Sequence, residues 1–256
     1  GHAFFAASSI RNTRDTYYFI YSSQWQHELC YATSKYPDRD FVYGGVLVSN
    51  GDIGFQGRRR EDRLAGTGNN HGSIVNVNGQ WYVFYHRQTH KTTYSRQGCA
   101  EKLTLEPDGK FLQAEMTSCG LNDGPLAARG SYPAPICCNL TNGHMPHVST
   151  EPIPQSIPYI THQGNDRYIT DISDGTMIGY KYFVFDGEKT LTLRLRGKAQ
   201  GTILVSADDH ALGEISVEPT EEWTDCSLKI SEGGVHALYL RFQGEGSLDL
   251  MEFCFE

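Results

Sequence analysis

The sequence predicts an all-β protein, and three observations carry that prediction. Tyrosine and phenylalanine are abundant, with 15 Tyr and 12 Phe beside 27 Gly and 10 Pro, which is a mixture of strand formers and turn formers. Short apolar runs separated by Gly, Asn and Asp follow one another along the chain, and helical periodicity is nearly absent. The third observation is an internal repeat, which narrows the all-β class to an architecture.

The repeat has two copies. Ser9-Ile10, six further residues and the aromatic run Tyr17–Tyr21 align without a gap with Ser73-Ile74, six further residues and Trp81–Tyr85. Each copy predicts a β-hairpin, with its tight turn at Arg14-Asp15 in the first copy and at Asn78-Gly79 in the second.

Further strands complete each copy. The runs "HELCYATS" and "FVYGGVLVS" lie between the copies, and "YSRQGCAEKLTLEPDGKF" after the second copy predicts two more strands around a Pro-Asp-Gly turn. A four-stranded unit that recurs at this period is typical of a β-propeller blade. The alternative is a sandwich that contains two similar hairpins by chance.

Two blades cannot close a ring, because the flanks of their sheets would stay exposed. We therefore expect earlier blades to exist, either upstream of residue 1 or supplied by another segment. The first predicted domain, residues 1–118, is accordingly the C-terminal part of a propeller.

The chain changes character after the second blade. Residues 119–158 lose the strand pattern and end in the Pro-rich "EPIPQSIP", so this segment is predicted to be a linker that wraps between domains. Residues 159–256 return to strand-like runs between Gly and Asp turns, among them "MIGYKYFVF", "TLTLRLRG", "CSLKI" and "HALYLRF". Their spacing predicts a compact antiparallel sandwich, a jelly roll in architecture.

Charge and cysteine content limit the partners. A formal net charge of −8 disfavours nucleic acid and anionic membranes as partners, and no apolar run is long enough for a membrane helix. The 7 cysteines are an odd number without metal-ligand spacing. They are interpreted as free thiols, which favours a cytoplasmic over a secreted location, although a signal peptide could precede the chain.

Several of these runs resemble known families. "FFAASSIRNTRDTYYFIYSS", "HELCYATS", "TGNNHGSIVNVNGQWYVFYHR" and "YSRQGCAEKL" are similar to the later part of the five-bladed propeller of the family 43 glycoside hydrolases. "ISDGTMIGYKYF", "GVHALYLRF" and "LDLMEFCF" are similar to family 6 carbohydrate-binding modules. The resemblance implies an inverting, mostly exo-acting hydrolase of α-L-arabinofuranosides or β-D-xylosides of plant polysaccharides, whose substrate is an oligosaccharide or polysaccharide.

The resemblance also implies three carboxylates: a general acid, a general base and a residue that raises the pKa of the acid. The base and the third carboxylate are aspartates of earlier blades, and no residue of this chain matches their motifs. The acid is a glutamate in a pattern like Phe-Phe-Glu-Ala-Ser-Ser, and the register of "FFAASS" puts it at Ala6. A methyl group cannot donate a proton, so this chain is expected to be inactive as written.

Two explanations of Ala6 stay open. Either the acid was deliberately replaced, or the chain is a natural glycan-binding relative that does not cleave. The surrounding residues Phe4, Phe5, Ala7 and Ser8 keep the pattern, which favours replacement.

The resemblance also implies roles in the active site for two residues in or after the second copy. His71, in "GNNHGS", matches a histidine that helps to hold a calcium ion at the centre of the propeller, mainly through water; the alternative is a structural histidine. Arg96, in "YSRQ", matches a strand arginine that donates to sugar hydroxyls, and the alternative is a surface arginine.

Three further residues are candidates for contacting the sugar: Phe5 beside Ala6, and Gln24 and Trp25 on the loop after the first aromatic strand. Sugar binding by the sandwich is in doubt. Asp249 and Glu252 stand where its family often has Asn and Trp, and Trp223 is predicted to be a core residue.

Overall fold

The computed structural model describes residues 1–13, 15–148 and 150–256. Over these residues the chain forms 17 strands and three single-turn 3-10 helices, at Phe55–Gly57, Arg60–Asp62 and Ala134–Ile136. The predicted all-β class is therefore confirmed. Within the described ranges, no helix has the length and apolar character needed to cross a membrane.

The chain divides into two compact units. The first comprises Gly1–Gln88, Thr92–Met116 and Pro146–Pro152. The second comprises Thr89–Lys91, Thr117–Met145 and Ile153–Glu256.

The first unit begins with a four-stranded antiparallel meander. Its strands follow chain order and are β1 (Phe4–Thr13), β2 (Thr16–Ser23), β3 (Leu29–Ser34) and β4 (Val42–Val48). These strands match the runs predicted for the first repeat copy. Of the predicted turn at Arg14-Asp15, Arg14 lies outside the described residues.

The second meander of this unit has three strands: β5 (Gly72–Val77), β6 (Gln80–Arg87) and β7 (Gln97–Leu103). Asn78 and Gly79, between β5 and β6, both have positive φ, 52° and 91°, as a tight hairpin turn requires. The fourth predicted strand is reduced to one bridge between Leu105 and Phe111. The Glu106 amide donates to the Lys110 carbonyl across the Pro-Asp-Gly turn, and the Leu112 amide donates to the Thr104 carbonyl.

The first strands of the two meanders are joined by side chains at equivalent places in the repeat. Ser9 Oγ donates to Ser73 Oγ at 2.8 Å, and these two residues are 64 positions apart. Two residues beyond Ser9, Arg11 Nε donates to the Ile74 carbonyl at 3.2 Å. The repeat seen in the sequence is thus also a repeat in space.

A buried tyrosine on β3 packs against β4 and bonds to the segment after β7. Tyr31 is fully buried, and its ring lies against Gly44, where an added Cβ would stand 2.1 Å from a ring carbon. Its hydroxyl accepts a hydrogen bond from the Phe111 amide at 3.0 Å. Gly44 is therefore required for this packing, and Tyr31 ties the segment after β7 to the unit.

The second unit contains ten strands in one continuous hydrogen-bonded network. They are β8 (Leu126–Ala127), β9 (Gly130–Pro133), β10 (Asn139–Thr141), β11 (Tyr159–Gln163), β12 (Asp166–Ile172), β13 (Met177–Gly197), β14 (Gln200–Ala207), β15 (His210–Val217), β16 (Thr220–Glu245) and β17 (Leu248–Phe255). The first three lie in the segment that the sequence analysis interprets as a linker.

Two long strands form the centre of this network, each paired with several other strands. β13 has 21 residues and β16 has 26, and each covers two runs that the sequence analysis treats as separate strands. Near their midpoints, Gly187 and Gly234 adopt positive φ of 119° and 101°, so the strands can bend without ending. Alternate side chains of both halves enter one apolar core, which includes Phe183, Leu193 and Leu240.

Candidate active site

The start of β1 is irregular where the sequence places the proton donor. The pairing of β1 with β2 shifts register between Phe4 and Ala6 and again between Ala6 and Ser9. Ala7 has φ of 55°, a left-handed conformation that costs a non-glycine residue about 1–2 kcal/mol. Bulges of this kind redirect a side chain and are frequent beside active sites.

Opposite Ala6 lies the buried hydroxyl of a serine. Ala6 pairs with Ser22 across the two strands, and cross-strand partners project from the same face of a sheet. Ser22 is fully buried, and among the described residues its Oγ has no hydrogen-bond partner. Burying such a group unpaired costs about 1–3 kcal/mol, so the face next to Ala6 suits a polar side chain or a polar ligand.

Aromatic and imidazole rings surround this position. Phe5 stacks on His27 with ring centroids 4.8 Å apart, and His27 meets His147 edge-on at 5.0 Å. Gln26 and His27 both have positive φ, 56° and 51°, so the loop after β2 turns sharply and returns His27 toward β1.

The same loop carries Gln24 and Trp25. The Gln24 amide donates to the Ala3 carbonyl at 2.9 Å, which fixes the loop to the start of β1. Trp25 is 52% exposed, and the Arg60 guanidinium lies 6.0 Å from its ring centroid. The structure therefore brings Phe5, Ala6, Gln24 and Trp25 to one edge of the meander, as a shared site requires.

The second meander contributes a pair of histidines. His71 immediately precedes β5, His86 lies near the end of β6, and their rings meet edge-on at 5.3 Å. Arg96 lies just before β7 rather than within a strand, and its guanidinium donates to the carbonyls of Thr93 and Ser95. Arg96 is exposed and close enough to act electrostatically on both histidines.

These imidazoles are held neutral. Burial, followed by the charge of Arg96 and then by His71, lowers the pKa of His86 to about 4. The pKa values of His71 and His147 are also lowered, in each case mainly by burial. The pKa of His27 is lowered by burial and then by His147 and His71. Near neutral pH the cluster can donate or accept hydrogen bonds without carrying charge.

Further buried polar atoms at this edge have no partner among the described residues. They include Nδ1 of His27 and of His86. They also include the two polar side-chain atoms, Oδ1 and Nδ2, of Asn70, which is fully buried. Buried polar groups are normally paired, so each unpaired group requires an explanation. A ligand rich in hydroxyls would satisfy several of them together.

The residues around His71 do not by themselves form a calcium site. Calcium prefers six to eight oxygen ligands. Among the described residues, no group of three His, Cys, Asp or Glu ligand atoms includes His71, and the Arg96 charge nearby would repel a cation. Calcium therefore stays a prediction from the resemblance.

The sequence analysis missed several members of the cluster. His27, His86, His147 and Asn70 were not predicted to act in the site, although "QWQHEL" and "FYHR" carry two of the histidines directly after aromatic strands. His147 is 76 positions beyond His71, in a segment that the sequence analysis assigned to a linker. Only the folded chain brings it to His27.

In the second unit, Trp223 lies on β16 and is partly exposed. Its ring meets Tyr168 edge-on at 5.5 Å. The Arg196 guanidinium lies 4.3 Å from the Trp223 centroid and 5.0 Å from that of Tyr168, and its Nε contacts Asp249 at 3.0 Å. Arg196 thus lies against both aromatic rings, and Asp249, at the position where the resemblance predicts Asn, holds the arginine there.

No family model matches the chain. Individual proteins do match. The chain is 46% identical over 265 residues to a "Xylosidase/arabinosidase" of Thermoclostridium stercorarium, an alignment that covers 99% of this chain and 56% of that protein. It is 26% identical to an "Arabinoxylan arabinofuranohydrolase" of Paenibacillus polymyxa, over 96% of this chain and 40% of that protein. The chain spans about half the length of these curated relatives.

One solved structure shares the fold across nearly the whole chain. It is a glycoside hydrolase family 43 arabinoxylan arabinofuranohydrolase from Bacillus subtilis in complex with cellotetraose. The match has a TM-score of 0.51 and 20% sequence identity, and it covers 98% of this chain and 54% of that one. This chain is therefore similar in sequence to about half of a xylosidase/arabinosidase, and it shares its fold with about half of a family 43 arabinoxylan arabinofuranohydrolase.

Proposed function

We propose that this chain is part of a glycoside hydrolase that acts on α-L-arabinofuranosides or β-D-xylosides of plant polysaccharides. The observation that carries the proposal is the 46% identity, over 99% of the chain, to a xylosidase/arabinosidase. The cluster of neutral histidines beside the bulged start of β1 supports the position of the site.

The reaction would be inverting. A general acid protonates the leaving oxygen while a base on the opposite face of the sugar activates water, and the two carboxyl groups stand about 6.5–9.5 Å apart to leave room for that water. The acid would come from position 6. The base and the carboxylate that tunes the acid would come from upstream blades, because no residue of this chain matches their motifs.

The remaining residues would bind and orient the sugar. Neutral imidazoles at His71 and His86 can bond hydroxyls in either direction, and the guanidinium of Arg96 offers directed donors to adjacent hydroxyls. Phe5 and Trp25, each 52% exposed, supply apolar surface against which a sugar ring can pack. With alanine at position 6, the site would bind substrate without delivering the proton.

Two matched variants of the full-length protein test the proposal. Ala6→Glu is expected to raise the rate of xylose or arabinose release from xylobiose or an arabinoxylan oligosaccharide by about 10²–10⁴, which is the usual contribution of a general acid. Ala7→Glu places the same charge one residue along and is expected to leave the rate unchanged. No gain in Ala6→Glu on any of these substrates, or an equal gain in both variants, would contradict the proposal.

The alanine at position 6 favours a second candidate, a protein that binds arabinose- or xylose-containing glycans without cleaving them. The two candidates differ in what Ala6→Glu does. A binding protein would retain its affinity for arabinoxylan oligosaccharides in calorimetry and gain no hydrolysis, whereas the enzyme would gain turnover.

A further inference from the structure

Three side chains of types that can bind metals lie close together in the first meander, near the starts of β1 and β3. They are His2, just before β1, Glu28, just before β3, and Cys30 within β3. Their ligand atoms all lie within 4.8 Å of one another, and no other trio of His, Cys, Asp or Glu side chains in the described ranges does this. The cluster is separate from the rings around His27 and His71.

Two of the three distances between the ligand atoms are close to those of a zinc site. His2 Nδ1 lies 3.0 Å from Glu28 Oε2 and 3.9 Å from Cys30 Sγ. For a tetrahedral zinc ion with Zn–N and Zn–O of about 2.0–2.2 Å and Zn–S of about 2.3 Å, neighbouring ligand atoms are about 3.3–3.7 Å apart. Shifts of about 0.3 Å would bring these two distances into that range, and the third pair, Glu28 and Cys30, lies within 4.8 Å.

Burial makes the cluster costly without a cation. Glu28 is only 3% exposed and Cys30 is fully buried. Oε2 of Glu28 receives no hydrogen bond from the described residues, although it is in contact with the His2 ring. A buried carboxyl group normally has a cation or several donors beside it, and here it has an imidazole and a thiol.

Burial shifts the pKa values of all three side chains in this cluster. Burial raises the pKa of Glu28 to about 7. Burial and then Glu28 raise the pKa of Cys30 to about 12, and burial lowers the pKa of His2. All three groups are therefore shifted toward their neutral forms, and a bound cation would reverse the shifts of the two acids.

Two tyrosines hold His2 in place, and the His2 side of the cluster is accessible to solvent. The Tyr43 ring stacks on the His2 ring at 5.0 Å and 3°, and Tyr21 donates to the His2 carbonyl at 2.7 Å. These contacts hold the imidazole in place. The His2 side chain is 35% exposed, so a cation and a fourth ligand from water can reach the cluster from solvent.

We propose that His2, Glu28 and Cys30 bind a zinc ion, with water as the fourth ligand. Imidazole, carboxylate and thiolate together are a donor set that zinc accepts and that calcium or magnesium does not. On binding, the Sγ–H bond of Cys30 breaks, the sulfur binds the metal and the proton leaves to solvent. The metal would join the start of β1, which carries Ala6, to β3.

Calorimetry with zinc on the untagged, chelator-treated protein tests the proposal. One zinc ion per chain is expected to bind, and Cys30→Ser and Glu28→Gln are each expected to weaken binding at least about 100-fold, because each removes a ligand. The matched control is Cys226→Ser, a partly buried cysteine of the second unit, and it should bind zinc like the unchanged protein. Absence of zinc binding, or binding that Cys30→Ser leaves unchanged, would overturn the proposal.

X-ray absorption at the zinc edge keeps the test valid if a variant fails to fold. In the unchanged protein, the first shell should contain one sulfur at about 2.3 Å with nitrogen and oxygen ligands at about 2.0–2.2 Å. A shell without sulfur would place the ion elsewhere, for example on the histidines near His27, and would overturn the proposal.

Discussion

The two copies of the repeat in the first unit share their first three strands, and they differ in the residues at the start of the first strand. Residues 6 and 7 of the first copy correspond to residues 70 and 71 of the second. The first copy has the bulged pair Ala6-Ala7, whereas the second has a buried Asn70 followed by His71. In contrast, β5 and β6 pair without a register shift from Gly72 to Val77.

The difference shows which part of each copy builds the sheet and which part builds the site. Ser9 and Ser73, in the regular part, bond to each other. At the irregular end, Ser22 of the first copy corresponds to His86 of the second, and each has a buried polar atom without a partner among the described residues. The same end of both copies therefore holds polar atoms that the rest of the described chain does not satisfy.

The largest effect on stability and on kcat/KM is expected from Asn70→Leu. This change keeps the branched shape and removes both polar atoms that have no partner among the described residues. Because an unpaired buried amide costs about 1–3 kcal/mol, the free energy of unfolding should rise by about that amount in urea titrations. In the Ala6→Glu background the same change should lower kcat/KM about tenfold or more, since a binding group is lost.

Asn139→Leu is the matched control, because Asn139 is a buried asparagine of the second unit whose Oδ1 has no partner among the described residues. It should leave kcat/KM unchanged. If Asn70→Leu destabilises the protein, Asn70 has a structural partner, and the comparison of the two copies loses its main support.

A smaller effect is expected from His86→Gln on the pH dependence of stability. The folded-state pKa of His86 is about 4, below its ordinary value of 6.5. As pH falls from 6.5 to 4, the unfolded chain takes up a proton that the folded chain does not, so the free energy of unfolding decreases. His86→Gln removes this uptake, and its stability should decrease less steeply over that range.

The readout is the difference in slope between variants, because Glu28, with a pKa raised to about 7, acts in the opposite direction in every variant. His162→Gln, at an exposed position of the second unit, is the control and should keep the original slope. Equal slopes for both variants would show that His86 is not held neutral by burial.

The sequence could predict the strands of the first unit because they follow local rules. Alternation, aromatic runs and the Asn78-Gly79 turn determine β5 and β6 within a few residues of chain. The bulge at Ala6 was not predictable, because it depends on how β1 pairs with β2. The partnership of His27 with His147 depends on the tertiary fold for the same reason.

In the second unit, glycines that usually mark turns misled the sequence analysis. Gly187 and Gly234 allow β13 and β16 to bend and continue, so two pairs of predicted strands are two long strands. The metal-binding trio was also missed. His2 and Cys30 are 28 positions apart in the chain, so no short motif contains all three residues, and only the pairing of β1, β2 and β3 brings His2 to Glu28 and Cys30.

The most direct test of the central claim is how the rate of Ala6→Glu relative to the unchanged chain depends on the leaving group. A general acid matters most when the leaving group is poor. We expect a gain of about 10²–10⁴ for xylobiose or an arabinoxylan oligosaccharide, and little or no gain for a 2,4-dinitrophenyl glycoside, which needs no proton. An equal gain for both kinds of substrate, or no gain for either, would contradict the assignment of the acid to position 6.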